Sequence, residues 1–424
     1  MRLTTTFFAI ILASFGLKAQ TPCDLGRYST DLFPTVTVTS GVQFGSNDDY
    51  TGANMDLFMD IYEPTGDTEL ERPLIIWVHG GSFIGGTRTD SDVSTLADAF
   101  AKKGFVCASI DYRVGMWPID SVNAVKAVVR AVQDLKGATR FFYSDRANAN
   151  AYKIDTTKIF IGGSSAGAVT SLHMAYLDKE CEVEPYINLT DLTALGGLEG
   201  TSGSPGYSTD VVGVINLCGA LASYGWLEAG DIPFCSLHGT NDGTVPYNRG
   251  PASVSVFDIL YMDGSRMLYE QANAVGITQS TYSHYGAGHA VYAGNAQYMD
   301  TTINFVRDFL VDQMGCTETP LQAANAPLEV SNLYTLFFCG LGVDETSVVE
   351  AAIYPNPSAN LINIELNTED AYALSVKDMF GREVATFAPA QSFVLNRDKI
   401  GSGQFLVVIT DANGIQRTEK IVFE

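Results

Sequence analysis

Histidine is scarce in this sequence, five in 424 residues. Any imidazole chemistry therefore rests on His79, His173, His238, His284 or His289. Basic residues are few as well, 25 Lys and Arg against 48 Asp and Glu, for a formal net charge of −23. A surface of that sign repels phosphate backbones and anionic lipid, so no nucleic-acid partner is expected. The same charge suits solubility outside a cell. There is no CxxC pair, which excludes thioredoxin-like redox chemistry and zinc-ribbon sites. There is no HExxH or similar cluster either, and the sequence calls for no metal and no cofactor. Beyond the amino terminus no apolar run reaches the roughly 18 residues of a membrane-spanning helix, so no transmembrane segment is expected.

What is present is a globular composition, 46% hydrophobic and 17% charged, in a chain long enough for two domains. The first nineteen residues place Arg2 before an apolar stretch from Phe7 to Leu17 that ends near Ala19, the layout of a cleaved secretory signal. Export permits disulfides. Of seven cysteines, Cys107, Cys218 and Cys235 lie in core-strand patterns and read as buried thiols. Cys23, Cys181, Cys316 and Cys339 lie nearer loops and are the better bridge candidates, with the pairing left open.

Apolar runs at 73–80 (PLIIWVHG), 104–112, 157–163, 211–219 and 233–239 read as strands buried on both faces. Residues 276–286 give a last strand, and 53–62 an edge strand. Helical patterns intervene near 93–103, after Pro118, after Ala166 and at 297–310. That alternation predicts an α/β fold with a mostly parallel central sheet flanked by helices. Two segments break the rhythm, a Gly- and Ser-rich loop or small lid at 179–210 and an insertion at 246–263. Residues 317–350 read as a linker or packing arm. From 351 to 424 short strands with turns at Gly381 and Asn413-Gly414 predict a small all-β, sandwich-like module without a helix or a histidine. The expected division is thus 1–19, 20–316, 317–350 and 351–424.

The sharpest local signal is Gly163-Ser164-Ser165-Ala166-Gly167, a G-x-S-x-G between an apolar strand and a helix. Glycines two residues either side of Ser165 permit a tight turn that lifts its hydroxyl clear of the sheet. Centring the pattern on Ser164 would put Ala166 where the second glycine belongs. Without further support the segment would read as a tightly packed connection. His79-Gly80-Gly81-Ser82-Phe83 follows the strand at 73–80, and its amides can converge on a developing oxyanion. The donors are assigned to Gly81, Ser82 and Ala166, with Gly80 less favoured and His79 holding the loop.

For the base, His289 in a GAG-H-A loop is preferred to His284, which stays within a strand pattern. His173 reads as packed in a helix and His238 as support for the turn that follows it. Asp242 is the orienting acid, ahead of Asp231 and Asp258, although Asn-Asp-Gly is a common turn sequence in any protein. Ser165, Asp242 and His289 occur in an order known for serine hydrolases.

These segments, together with Ser109 to Gly115 (SIDYRVG), resemble the esterase and lipase branch of the α/β-hydrolases, over roughly residues 50–315. The likeness is to the hormone-sensitive-lipase-like and type B carboxylesterase groups. The resemblance implies an oxyanion hole from Gly81, Ser82 and Ala166, with Ser82 standing where a third glycine is usual. It also implies a supporting role for Asp111-Tyr112-Arg113. The tail, IYPNPSANLINIEL with a later DMFGREV, resembles the carboxy-terminal sorting module of type IX secretion. It implies that machinery as a partner and a secreted or cell-surface location after periplasmic export. Trp117, Tyr207, Tyr224 and Trp226 are loop aromatics that would suit an aromatic or polymeric ester. The expected function is a secreted serine esterase. The alternatives are a serine peptidase of the same fold and a non-catalytic binding or adhesion protein on that scaffold.

Overall fold

The computed structural model describes residues 22–254, 257–316, 351–368, 370–378, 381–410 and 416–423. The expected signal peptide, the linker at 317–350, Cys339 and the Asn413-Gly414 turn lie outside them.

The central sheet has eight strands: β1 (Val36–Asp48), β2 (Asn54–Pro64), β3 (Arg72–Val78), β4 (Val106–Ile110), β5 (Ile154–Ser164), β6 (Gly213–Leu217), β7 (Phe234–Gly239) and β8 (Gln279–His284). Their spatial order is β1-β2-β4-β3-β5-β6-β7-β8. β1 pairs antiparallel with β2, and β2 with β4. All other pairs are parallel. This is the mostly parallel sheet expected. One strand differs: 54–64 is not the edge, because β1 pairs outside it. β1 (VTVTSGVQFGSND) is mainly polar and exposed and carries register shifts, so it lacks an apolar signature.

β3, β4 and β6 are buried along their whole length, since helices cover both faces of the sheet. α1 (Ser91–Lys102) and α5 (Ala296–Gln313) contribute Leu96, Phe100, Phe305 and Phe309 to one core. α2 (Ser121–Ala147) and α3 (Ala166–Tyr176) contribute Val129, Leu135, Val169 and Leu172 to the other. α2 begins three residues after Pro118 because Asp120 is its N-cap and accepts from the Asn123 amide. α4 (Ser265–Val275) lies between β7 and β8 in the chain.

The segment 179–210 divides: Val183 and Tyr186 line the same apolar space as Ser165, and the Gly-rich part lies elsewhere. That part docks on α2 and β1: a Cβ on Gly137 would stand 2.0 Å from Ser202 O, and one on Gly203 2.1 Å from Phe44 O. Ser202 also donates to Asp134, which is ion-paired with Arg113. The insertion at 246–263 is an antiparallel hairpin, Arg249–Val254 and Phe257–Gly264, paired to Ala220–Leu221.

Cys23 and Cys316 are joined across 293 residues of sequence, and Cys181 is also disulfide-bonded. Cys107, Cys218 and Cys235 are free and buried. The carboxy-terminal strands form a three-stranded and a four-stranded antiparallel sheet. They enclose a core of their own residues, Ile362, Ile364, Leu374, Val376, Leu395 and Val407 among them. One helical turn, Arg397–Ile400, interrupts the expected helix-free pattern, started by Asn396 accepting from the Asp398 amide. No described helix is long and apolar enough to cross a membrane.

Candidate active site

Parallel pairing puts the carboxyl ends of β3, β5, β6, β7 and β8 along one edge, and the chemistry-bearing loops leave from there. β5 ends at Ser164. Ser165 follows with φ 53° and ψ −116°, and α3 begins at Ala166. The flanking glycines are required sterically. A Cβ on Gly167 would lie 1.9 Å from Val78 O, and one on Gly163 2.4 Å from the Gly167 carbonyl carbon. Such distances are closer than any real Cβ contact, so the elbow can close only on glycine.

The Ser165 hydroxyl lies 2.8 Å from His289 Nε2, and His289 Nδ1 lies 2.6 Å from Asp242 Oδ2. Asp242 Oδ2 also faces His238 Nε2 at 3.1 Å, while Oδ1 accepts the amides of Thr244 and Val245. Burial alone would raise the Asp242 carboxyl. The hydrogen bonds from His238 and His289 outweigh it and hold the group well below the usual carboxylate range. For His289, burial works against the imidazolium, but the Cys218 sulfur and Asp242 prevail and raise it above its ordinary value.

Ser164 is engaged elsewhere, with its hydroxyl 2.6 Å from Tyr292 OH. His284 is packed between Tyr282 and Tyr298, and burial pulls it down to about 4. Asp231 accepts from the Glu228 amide within its own turn, and Asp258 from Ser253 across the hairpin. His173 is buried in α3 against Trp226, its Nδ1 2.8 Å from Val169 O.

Gly81, Ser82 and Phe83 all adopt positive φ, 113°, 54° and 60°. Ser82 therefore occupies a left-handed conformation that glycine adopts more easily. Among the described residues the amides of Gly81 and Ser82 donate to no acceptor. Ala166 opens α3, where the first N–H groups lack intrahelical partners. The Gly80 amide instead donates to Asp92 at 3.2 Å. His79 Nδ1 bonds Gly80 O at 2.6 Å, and Tyr112 stacks on its ring at 4.4 Å. Asp111 pairs with Arg88, and Arg113 with Asp134. The Asp-Tyr-Arg segment thus braces the loop and α2 without reaching Ser165.

An apolar cavity begins at Ser82, Ser165 and Ala166. It runs between α2, α3 and the 249–264 hairpin, past Val129, Val169, Trp226 and Leu260. Among the described residues its lining contains no Asp, Glu, Lys or Arg. Of the four loop aromatics expected to line it, only Trp226 does. Tyr207 bonds Asn148, Tyr224 is buried, and Trp117 is 75% exposed beside the lining residue Met116. Sequence alone did not single out His238 as a second partner of Asp242, nor Tyr292 and Cys218. The four-residue step from His238 to Asp242 was the one available hint. The cavity wall comes from ordinary apolar positions of α2 and the hairpin.

Residues 59–195 match the family BD-FAE, and residues 352–424 match the secretion system C-terminal sorting domain. Carboxylesterase 3B of Mus musculus is 32% identical over 123 residues, 28% of this chain and 20% of that protein. The chain therefore spans about a fifth of that relative. Among solved structures, Thermogutta terrifontis esterase 2 phosphorylated by paraoxon is 21% identical, with TM-score 0.48. That match covers 67% of this chain and 96% of the other. The apo form of the same esterase is also 21% identical, with TM-score 0.49, covering 69% and 99%.

Proposed function

We infer that the chain is a secreted serine esterase, an α/β-hydrolase joined to a C-terminal sorting module of type IX secretion, in keeping with the family matches at 59–195 and 352–424. The observation that carries the reading is the unbroken line from Ser165 Oγ through His289 to Asp242, at 2.8 and 2.6 Å. In this reading His289 takes the Ser165 proton as Oγ attacks an ester carbonyl. The Gly81, Ser82 and Ala166 amides receive the oxyanion, each donor contributing about 3 kcal/mol to transition-state stabilisation. His289 then protonates the leaving alcohol, and water repeats the sequence on the acyl-enzyme. Asp242 holds the tautomer and favours the imidazolium.

The cavity supports one assignment of the two halves of the ester. The leaving oxygen has to reach His289, which is not part of the cavity lining, whereas Ser165 and the oxyanion loop are. The acyl group therefore enters the cavity and the alcohol stays on the open side. An uncharged wall favours an apolar acyl group. Trp117, 75% exposed and next in sequence to the lining residue Met116, is in keeping with a larger or polymeric ester.

A p-nitrophenyl ester series tests both parts. We expect kcat/KM to rise by up to about fourfold per methylene buried, from acetate to hexanoate. Methyl ferulate should fall below methyl hexanoate, compared at the same leaving group, because its phenol would enter an almost wholly apolar wall. A series that falls steadily from acetate contradicts the assignment of the cavity, and no hydrolysis of any ester contradicts the function.

A further inference from the structure

Three loops must be held in register for Ser165, His289 and Asp242 to stay in line, and the loop bearing His289 has little structure of its own. It runs through Gly286 and Gly288 and turns at Ala290, whose φ is 47°. Its fastening to the Asp242 loop is plain: Asn241 N donates to Ala287 O at 2.9 Å and Gly286 N to Thr240 Oγ1 at 2.8 Å. A Cβ on Gly239 would lie 2.2 Å from Gly288 O, so the two loops touch backbone to backbone.

The fastening to the Ser165 elbow comes from a different residue. Tyr292 lies in a single helical turn, Val291–Gly294, three residues beyond His289, and is buried. Its hydroxyl lies 2.6 Å from Ser164 Oγ and 3.6 Å from Cys218 Sγ. Cys218 follows β6 with φ 52°, and its amide donates to Leu237 O. Its sulfur, a carboxylate oxygen of Asp242 and a ring nitrogen of His289 all lie within 4.8 Å of one another. The adjacent Leu217 O accepts the Ser165 amide at 2.9 Å.

We propose that Tyr292 and Cys218 are positioning residues for His289. The Tyr292 hydroxyl ties the histidine loop down to the elbow through Ser164, and the Cys218 sulfur backs the imidazole on the β6 side. Neither group touches substrate. The sulfur lone pairs favour the imidazolium that forms as Ser165 loses its proton, adding to the effect of Asp242. Among the described residues the titratable groups facing the imidazole are Asp242 and Cys218, with His238 and Tyr292 one contact further out. This inference rests on reading Ser165 and His289 as the reacting pair.

The test uses the full chain, p-nitrophenyl butyrate and a pH series, with melting temperature measured alongside. Tyr292→Phe should lower kcat ten- to a hundredfold with KM little changed, because misplacing the base costs the chemical step. Cys218→Ala should move the acidic limb of kcat/KM to lower pH, and Cys218→Ser should restore part of that shift. Wild-type kcat in Tyr292→Phe together with an unmoved limb in Cys218→Ala overturns the proposal. So does a lower melting temperature with no change in the pH limb, which marks a packing role alone. If Tyr292→Phe does not fold, the Cys218→Ala and Cys218→Ser comparison decides. A wild-type protein that hydrolyses no ester and takes no fluorophosphonate rejects the esterase reading, and this inference with it. Wild-type activity with unaltered variants rejects this inference alone.

Discussion

Ser165→Ala lowers kcat for p-nitrophenyl butyrate by about 10⁶, the scale seen when a catalytic serine is removed from a triad. The residual rate over water comes from the oxyanion amides and binding, which the substitution leaves in place. The backbone has no new reason to move. Alanine carries the same Cβ as serine, so the φ of 53° at this position is as strained in the variant as in the parent. The melting temperature should therefore stay within a few degrees. Ser164 does not take over, because its hydroxyl is held at 2.6 Å by Tyr292 OH. Steady-state rates decide the matter, and retention of a hundredth of parental activity would remove Ser165 from the role given to it.

Asp242→Asn should cost about 10⁴ in kcat, the effect of presenting the imidazole with the wrong tautomer. An asparagine amide facing Nδ1 leaves the proton on Nε2, where it cannot accept from Ser165. A second signature concerns pH. Hydrolysis needs neutral His289, so kcat/KM falls as pH drops through the imidazole pKa. That pKa is raised in the parent by Cys218 and Asp242 acting against burial. The parental acidic limb should lie above the ordinary imidazole range, near pH 6.5. Removing the carboxylate withdraws one of the two supports and moves the limb to lower pH. A variant whose limb stays put, or moves up, would show that Asp242 does not act on His289. His238 complicates the choice of control. It shares Asp242 Oδ2 and is itself held by Ser265 at 2.9 Å, so its loss loosens the acid without removing it.

The parts of the fold that were legible are those where burial is complete. β3, β4 and β6 read as unbroken apolar runs because both faces are covered, and no alternation competes with that signal. β1 was invisible for the opposite reason: it borders the sheet with polar side chains, and only its partner, β2, supplies apolar ones. The segment 179–210 reads as a loop or small lid from its composition; its first part does border the cavity, through Val183 and Tyr186, while its Gly-rich part, 196–210, docks elsewhere. The real partners of that Gly-rich part, Gly137 on α2 and Gly45 on β1, are glycines that admit a close backbone approach, and they carry no pattern. In the site, Ser165 was legible because the elbow imposes two glycines at fixed spacing. Tyr292 and Cys218 were not, since each is joined to its partner by tertiary contact across 128 and 71 residues of chain respectively, Ser164 to Tyr292 and Cys218 to His289. Trp117, Tyr207 and Tyr224 illustrate the converse: aromatic character in a loop says nothing about which way a side chain faces.

The central claim is that the hydroxyl of residue 165 is the nucleophile, and an organophosphonate reports on it directly. Incubating the full chain with a fluorophosphonate and mapping the adduct by peptide mass spectrometry should place one phosphonyl group on Ser165, with none on Ser165→Ala. An adduct on another residue, or labelling that persists in the alanine variant, would contradict the account.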